Sequence, residues 1–280
     1  MTAKVALFFL IAMCLTVGTS VSAQQPEQKF SVSMSSTFSF NTTQQGIQIH
    51  SVSAVLGARY KLSDGLLTGL EVPFSFVALH REKSDDETSY RFGNPSLSVG
   101  VKDDGFFGAE GSILFRVGIP LATFPGDIPG NRIAELNYDY ANSATGWQRP
   151  DLWLMNILPV SLEGTLGIRV TPSIRISCIV SPSYLISVNS EKSGISVTAR
   201  ASTEVTVYGT SITAGWNSYL STRSIENNNF DQHSIFAGFR WGGSRLPFTT
   251  EVVVNLDEPN GVFRKHGVKP DWGIVFKSDF

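Results

Sequence analysis

The sequence predicts an all-β protein, a transmembrane antiparallel up-and-down β-barrel of twelve strands. Three observations lead to this fold class: an N-terminal export signal, strands that alternate apolar and polar residues, and connections that alternate in length. The net charge of −2 and the lack of a continuous basic run argue against nucleic acid as a partner.

The N-terminus has the parts of a secretory signal peptide. Lys4 supplies a positive charge, an apolar run follows at 5–17, and Val21 and Ala23 lie at the positions that signal peptidase reads. The apolar run is shorter than the roughly 20 residues that a membrane-spanning helix needs. We therefore expect residues 1–23 to be a cleaved signal peptide and residues 24–280 to form one barrel domain in the bacterial outer membrane.

The rest of the chain contains no apolar stretch long enough for a transmembrane helix. If it lies in a membrane, it must do so as a closed barrel, in which every backbone polar group is hydrogen-bonded. Outer-membrane lipids are then its surroundings. After signal cleavage only Cys178 remains, so no internal disulfide is expected.

Alternation with a period of two recurs along the chain. At 30–40, for example, Phe, Val and Met at even positions face a series of Ser and Thr at odd positions. The predicted strands lie near 30–40, 47–62, 66–79, 93–102, 106–119, 160–170, 173–188, 195–207, 210–221, 233–241, 248–256 and 271–280. Ten strands is the alternative, because Pro182 interrupts the seventh and a barrel has no edge strand to hold a proline.

The connections between these strands alternate in length. Tight links rich in turn residues lie at 63–65, 103–105, 171–172, 208–209 and 242–244. Most of the links between them are longer and more polar, as at 80–92, 120–159, 222–232 and 257–270. Short periplasmic turns alternating with longer external loops are typical of a transmembrane barrel.

The segment 120–159 is too long for an ordinary structureless loop. One interpretation is a plug or constriction folded into the barrel. The other is an external flap packed on the rim by Trp147 and Trp153, and we prefer it because Pro150 and Pro159 frame a short element near a strand start.

Charged residues within the strands share the polar face, so we predict that they line the lumen. On the opposite face, Arg or Lys at the bilayer midplane would cost about 2–4 kcal/mol. The predicted lumen-lining charges are Arg59, Lys61, Glu71, Lys102, Glu110, Arg116, Glu163, Arg169, Arg175, Arg200, Glu204, Arg240, Glu251 and Lys277.

Seven of these cations fall near the periplasmic strand ends of the predicted topology: Arg59, Lys61, Lys102, Arg169, Arg175, Arg240 and Lys277. One hypothesis is a positive periplasmic mouth that favours anions, as rings of Arg and Lys do in other pores. The alternative is that the charges pair with the lumen carboxylates and fill the barrel.

The last predicted strand resembles the C-terminal strand that the outer-membrane assembly machinery recognises. Trp272, Ile274, Phe276 and the final Phe280 occupy alternate apolar positions, although Ser278 departs from the pattern. The resemblance implies that the barrel-assembly machinery is a partner.

Short glycine-rich strings within 55–125 resemble an outer-membrane family named for the phenol meta-degradation pathway. These strings are LGARY at 56–60, GNPSLSVGVK at 93–102 and GIP at 118–120, and DLWL at 151–154 fits the same pattern. Members of that family are described as transporter-like barrels, so the resemblance implies a transport role, with a small and still unidentified solute.

We therefore predict an outer-membrane channel or transporter-like barrel for the passive passage of small solutes. A closed barrel with a structural or surface-interaction role through its loops is the alternative, and a lipid hydrolase is third. Catalysis is not expected, because His50 and Ser51 are adjacent and so face opposite sides of a strand, as do His233 and Ser234. The sequence contains no recognisable cofactor motif or metal-ligand spacing.

Overall fold

The structure is a computed structural model of the chain. It describes residues 29–42, 48–81, 84–106, 109–122, 141–142, 148–188, 193–222, 230–241, 248–257 and 272–279. The expected signal peptide at 1–23, the predicted tight turn at 242–244, Trp147 and Phe280 lie outside these residues.

The described residues form thirteen strands and one short 3-10 helix at Pro150–Leu152. The strands are β1 (Phe30–Thr42), β2 (Gln48–Ser63), β3 (Leu66–Arg81), β4 (Ser84–Phe92), β5 (Ser96–Phe106), β6 (Ala109–Gly118), β7 (Ile157–Thr171), β8 (Ile174–Ser187), β9 (Gly194–Val207), β10 (Thr210–Ser221), β11 (Phe230–Trp241), β12 (Phe248–Asn255) and β13 (Trp272–Asp279).

The sheet closes on itself as a barrel. All pairings are antiparallel, and β1 pairs with β2 on one side and with β13 on the other, so the first and last strands meet. β4 and β5 share one place in the wall, because β3 pairs with β5 through Leu66–Glu71 and with β4 through Phe74–Arg81. The wall therefore has twelve strand positions, and the prediction of a twelve-stranded antiparallel barrel is confirmed.

The strand β4 corrects the predicted loop at 80–92. Ser89 and Arg91 are buried on one face of β4, while Tyr90 and Phe92 are each 71% exposed on the other. This is strand alternation, but the acidic run at 85–87 made the sequence look like a solvated loop. β4 and β5 together form one line antiparallel to β3, broken only at 93–95.

The tight turn predicted at 103–105 was also wrong. These residues belong to β5, and pairing with β6 continues to Phe106 and Ala109 after an irregularity in register. Asp103, Asp104 and Gly105 have the composition of a turn, but an irregularity in register near the end of β5 accommodates them within the strand. Turns do occur at 64–65, 172–173 and 208–209. Tyr208 and Gly209 both have positive φ, as two-residue hairpin turns require.

Pro182 lies inside β8, where it pairs with Val197 of β9. On its other side, pairing with β7 is interrupted between Ser161 and Gly164 and then resumes in the same register. Proline has no backbone N–H to give to a neighbouring strand. The ladder therefore breaks locally beside Pro182, and the strand itself is not lost.

The outer face of the wall is apolar and exposed. Along β5, Leu97, Val99 and Val101 are 54%, 44% and 52% exposed, and Ile113 and Phe115 continue this surface on β6. A protein surrounded by water rarely exposes such a continuous apolar surface. Within the described part of the chain, no helix is long and apolar enough to cross a membrane.

Candidate solute site in the barrel lumen

Ion pairs between strands that are not neighbours identify the inner face of the barrel. Arg200 on β9 donates from Nη2 to Glu251 Oε1 on β12 at 2.8 Å, although β10 and β11 lie between those strands. Side chains can meet over intervening strands only on the concave side of a curved sheet. Arg200 also lies over the ring of Phe236, with Cζ 3.5 Å from the ring centroid. These side chains therefore face the lumen.

The predicted lumen charges form further ion pairs, some between neighbouring strands and some between strands that are not neighbours. Lys277 Nζ lies 3.0 Å from Glu251 Oε2, and Arg240 Nη1 lies 3.6 Å from Glu204 Oε1. The remaining pairs that join strands are Arg116–Glu71 at 3.7 Å, Arg116–Glu163 at 3.2 Å, Arg169–Glu110 at 3.3 Å and Arg175–Glu110 at 2.7 Å.

Most cations of the predicted basic mouth lie beside a carboxylate. Five of its seven cations lie within 4 Å of a carboxylate, since Lys61 contacts Asp64 and Lys277, Arg169, Arg175 and Arg240 have the partners just given. Lys102 is exposed near the end of β5, and Arg59 is exposed in β2. The pairing of these five cations weakens the hypothesis of a positive periplasmic mouth.

Residues 148–156 of the long segment lie on the inner side of the wall. Leu152 and Trp153 are each 1% exposed and pack with Ala141 and with Val55 of β2. Arg91 of β4 donates from Nη2 to the carbonyl oxygen of Trp153 at 3.2 Å. This is the position expected of the plug interpretation, whereas the external flap that we preferred would place Trp153 on the rim. The described residues of the segment therefore contact the inner face of the barrel wall.

The break between β4 and β5 holds this inner segment. The Asn94 side chain is fully buried and donates from Nδ2 to the carbonyl oxygens of Asp151 at 3.1 Å and Leu154 at 2.6 Å. Its Oδ1 accepts from the backbone N–H of Ala122 at 2.8 Å, and its own N–H donates to Leu152 O at 2.6 Å. One asparagine therefore joins the wall to both ends of the long segment.

A second anchor is the carboxylate of Glu71 on β3. Arg149 Nη1 lies 2.8 Å from Glu71 Oε2 and its Nη2 lies 3.1 Å from Asp151 Oδ2. Ser96 Oγ also donates to Glu71, at 3.2 Å. Burial lowers the pKa of Arg149, but the carboxylates of Asp151 and Glu71 outweigh burial and raise it above its usual value. Arg149 therefore remains charged and fixes the inner segment to β3.

A cavity of about 240 Å³ lies beside this segment. Its wall is formed by β1, β2, β3 and β13 and by residues 148–153. Hydroxyl groups of Ser33, Ser35, Thr37 and Ser53 line it together with charged side chains of Arg59, Glu71, Arg149 and Lys277. The cavity lies within the barrel, has both polar and apolar lining residues, and is bordered by the inner segment.

The other predicted residues lie away from this cavity. Trp272, Ile274 and Phe276 alternate along β13, and the Phe276 ring lies 5.5 Å from the rings of Phe38 and Phe248. His233 stacks on Trp216 with ring centroids 5.3 Å apart. In the described ranges, no group of three or more metal-ligating side chains could hold a metal ion.

No family model matches the chain, and no curated protein matches it. Among solved structures, the chain is similar to the COG4313 outer membrane channel from Pseudomonas putida F1, with a TM-score of 0.63 and 13% identity over 93% of this chain and 99% of that chain. The fold is that of outer-membrane β-barrel proteins. At this identity the similarity shows the fold alone, and the resemblance to the phenol meta-degradation family stays a prediction.

Two weaker similarities are to autotransporter domains. The transport unit of AIDA-I from Escherichia coli gives a TM-score of 0.45 with 10% identity, over 97% of this chain and 96% of that chain. The beta domain of the Bordetella autotransporter Brka gives a TM-score of 0.46 with 8% identity, over 90% and 98%. Similarity at this level carries no argument about function.

The sequence did not single out Asn94, Arg149 or Ser53. The available signal for Asn94 was Gly93-Asn94-Pro95, which interrupts an alternating pattern between two strands. Arg149 lies in the long segment, where the sequence has no periodicity that would assign a side chain to the lumen or to the outer face. Its role depends on contact with Glu71, 78 residues earlier, which no local pattern reveals.

Proposed function

We propose that this protein is a channel of the bacterial outer membrane for the passive passage of small solutes, narrowed by the segment at 148–156. The observation that carries the proposal is the opposite character of the two barrel faces. The outer face exposes a continuous apolar surface, while the inner face holds ion pairs, hydroxyl groups and a cavity of about 240 Å³. This is the arrangement of a membrane barrel with a polar interior.

The apolar outer face supports a membrane location on physical grounds. Leu162, Ile168 and Val170 of β7 are 49%, 47% and 58% exposed, which would be unfavourable in water. Contact with lipid chains removes that cost. The fold of outer-membrane proteins and the expected export signal together favour the bacterial outer membrane as the location. The barrel-assembly machinery, acting through β13, is part of the same proposal.

The number of strands permits an open lumen. About eight strands give an interior that side chains just fill, and 16–18 leave an aqueous channel. With twelve strands, the contents of the lumen decide whether solute passes. In this chain the inner segment and the cavity beside it imply a narrow passage, which would limit transport to small solutes.

Solute entry into proteoliposomes tests the proposal. Vesicles containing the purified protein should swell in iso-osmotic arabinose and swell much less in iso-osmotic stachyose, because the larger sugar would not pass the inner segment. Protein-free vesicles are the control for leakage. A folded barrel that gives no swelling above this control would contradict the proposed passage.

A closed barrel with a structural or surface-interaction role is the second candidate. The observation in its favour is that most described lumen charges are paired and that 148–156 occupies part of the interior. Such a barrel would admit neither arabinose nor ions. The same vesicles therefore distinguish the two candidates.

A further inference from the structure

We infer that the cavity beside the inner segment binds a small monocarboxylate with a compact apolar body, and that Arg59 is its charge partner. The inference rests on the proposed function, because it names the class of solute that the same lumen would hold.

Two polar groups of the cavity wall lack partners. The Ser53 hydroxyl is 3% exposed, and neither it nor the Gln148 Nε2 makes a hydrogen bond to any described residue. Both residues line the cavity. Buried polar groups are almost always hydrogen-bonded, and an unpaired one costs roughly 1–3 kcal/mol. Gln148 Nε2, next to Arg149 in the chain, is therefore available to a ligand near Arg59. Ser53 lies six residues from Arg59 on β2, about 20 Å along the strand, so it does not bind the same carboxylate.

Among the described charged residues that line the cavity, Arg59 is the cation without an ion-pair partner. Arg149 is engaged by Glu71 and Asp151, and Lys277 is engaged by Glu251. In the part of the chain that the structure describes, no carboxylate forms an ion pair with Arg59. Glu71, on which Arg59 acts electrostatically, is already bound by Arg149. A ligand with a single negative charge would balance Arg59.

The shape of the guanidinium group favours a carboxylate. Arginine presents paired N–H donors in a planar fork that matches the two oxygens of a carboxylate. The Gln148 amide adds a donor in the same cavity. A single neutral oxygen would use fewer of these donors and would leave the charge of Arg59 uncompensated.

Part of the cavity lining is apolar. It consists of Val55, Leu152, Trp153 and Val275, and Leu152 and Trp153 are buried in the inner segment. The volume of about 240 Å³ is below the roughly 300–1,000 Å³ of typical ligand pockets. The ligand body is therefore small, and a ring or a short branched chain fits this lining.

Binding is measured by 19F NMR with 4-fluorobenzoate and the protein purified from outer membranes in detergent micelles. We expect 4-fluorobenzoate to bind and its neutral isostere 4-fluorobenzamide not to bind. Arg59→Met should weaken 4-fluorobenzoate binding about tenfold to a hundredfold, as expected for loss of a charge-assisted hydrogen bond. Ser53→Ala should leave it unchanged, because Ser53 lies about 20 Å from Arg59 along β2.

Arg169→Met is the matched control, because Arg169 also faces the lumen but lies outside the cavity and is paired with Glu110. It should leave binding unchanged. Equal binding of the acid and the amide, unchanged binding by Arg59→Met, or no binding by the wild-type protein at about 10 mM would overturn the inference. If acetate competes as well as benzoate, the site does not require an apolar ligand body. If inorganic phosphate competes as well as benzoate, the site does not select a carboxylate.

The 19F NMR titration does not require solute to cross a membrane, so its result does not depend on whether the protein is a channel. Swelling in arabinose without 4-fluorobenzoate binding overturns the binding site alone. Absence of swelling overturns the channel, and the titration still decides whether the binding site exists.

Discussion

Arg149 and Glu71 join the inner segment to the barrel wall through a contact of 2.8 Å between Nη1 and Oε2. Glu71 belongs to β3, whereas Arg149 precedes the short 3-10 helix of the long segment. This ion pair and the hydrogen bonds of Asn94 hold residues 148–156 against the inner face. In the proposed channel, the narrowing of the lumen would depend on this small number of polar contacts.

Replacing Arg149 tests the first of these anchors. Arg149→Met leaves Glu71 and Asp151 without their shared partner in a partly buried site, so we expect a loss of about 1–3 kcal/mol in the free energy of unfolding. Urea unfolding of the folded barrel in micelles measures this. A double-mutant cycle with Glu71→Gln should give a positive coupling energy. Additive effects of the two substitutions would contradict the pairing.

Asn94 is the second anchor. Asn94→Ala removes the hydrogen bonds to Asp151 O, Leu154 O and Ala122 N, so the inner segment should detach more often. We expect faster amide hydrogen exchange at 151–154 while exchange in β8 and β9 stays unchanged. Asn217→Ala is the control, because Asn217 is equally buried on the inner face but bonds to Ser234 and Arg200. Equal effects of the two substitutions would argue against a specific anchor.

Gly93 provides a steric test of the same docking. A Cβ at Gly93 would meet the carbonyl oxygen of Leu152 and would lie 2.7 Å from Pro73 Cγ. Gly93→Ala should therefore destabilise the barrel by about 1–3 kcal/mol, a typical cost of overpacking. Gly164→Ala is the matched control, since the nearest atom to its Cβ would be 4.0 Å away. Urea midpoints of the two variants give the comparison, and equal midpoints would contradict tight docking at Gly93.

The paired charges of the mouth make a prediction about ion selectivity. With five of the seven mouth cations paired, we expect a weak anion preference in a KCl gradient. Arg59→Gln should move the reversal potential toward zero or toward cations. Glu204→Gln should move it toward anions, because it leaves the charge of Arg240 without its carboxylate. Shifts in the opposite direction for either variant would reject an electrostatic origin.

The sequence predicted the barrel because the alternation of residues is local and strong. Arg200 and Glu251 alternate in step with the polar residues of their strands, so the sequence assigned both to the polar face. The structure brings them together. Their pairing over two intervening strands could not be predicted, since it depends on the curvature of the closed sheet. Likewise, β4 was missed because the acidic run at 85–87 obscured the alternation of exposed and buried residues to which Tyr90 and Phe92 belong.

The site at the inner segment was not predictable from local patterns. The strings at 93–102, 118–120 and 151–154 were noted for a family resemblance, and in the structure they meet. Ile119 N–H donates to Pro95 O at 2.7 Å, and Asn94 binds Asp151 O. These strings meet only because the long segment returns into the barrel. The sequence of a polar loop does not show the path that the loop takes, so this return could not be predicted.

Single-channel conductance in planar bilayers tests the central claim, with the wild-type protein and Asn94→Ala measured under the same conditions. The claim is that the lumen is a passage narrowed by residues 148–156. We predict steady openings for the wild-type protein and a larger unitary conductance for Asn94→Ala. A folded, heat-modifiable barrel that stays silent in both forms would contradict the claim and would indicate a closed lumen.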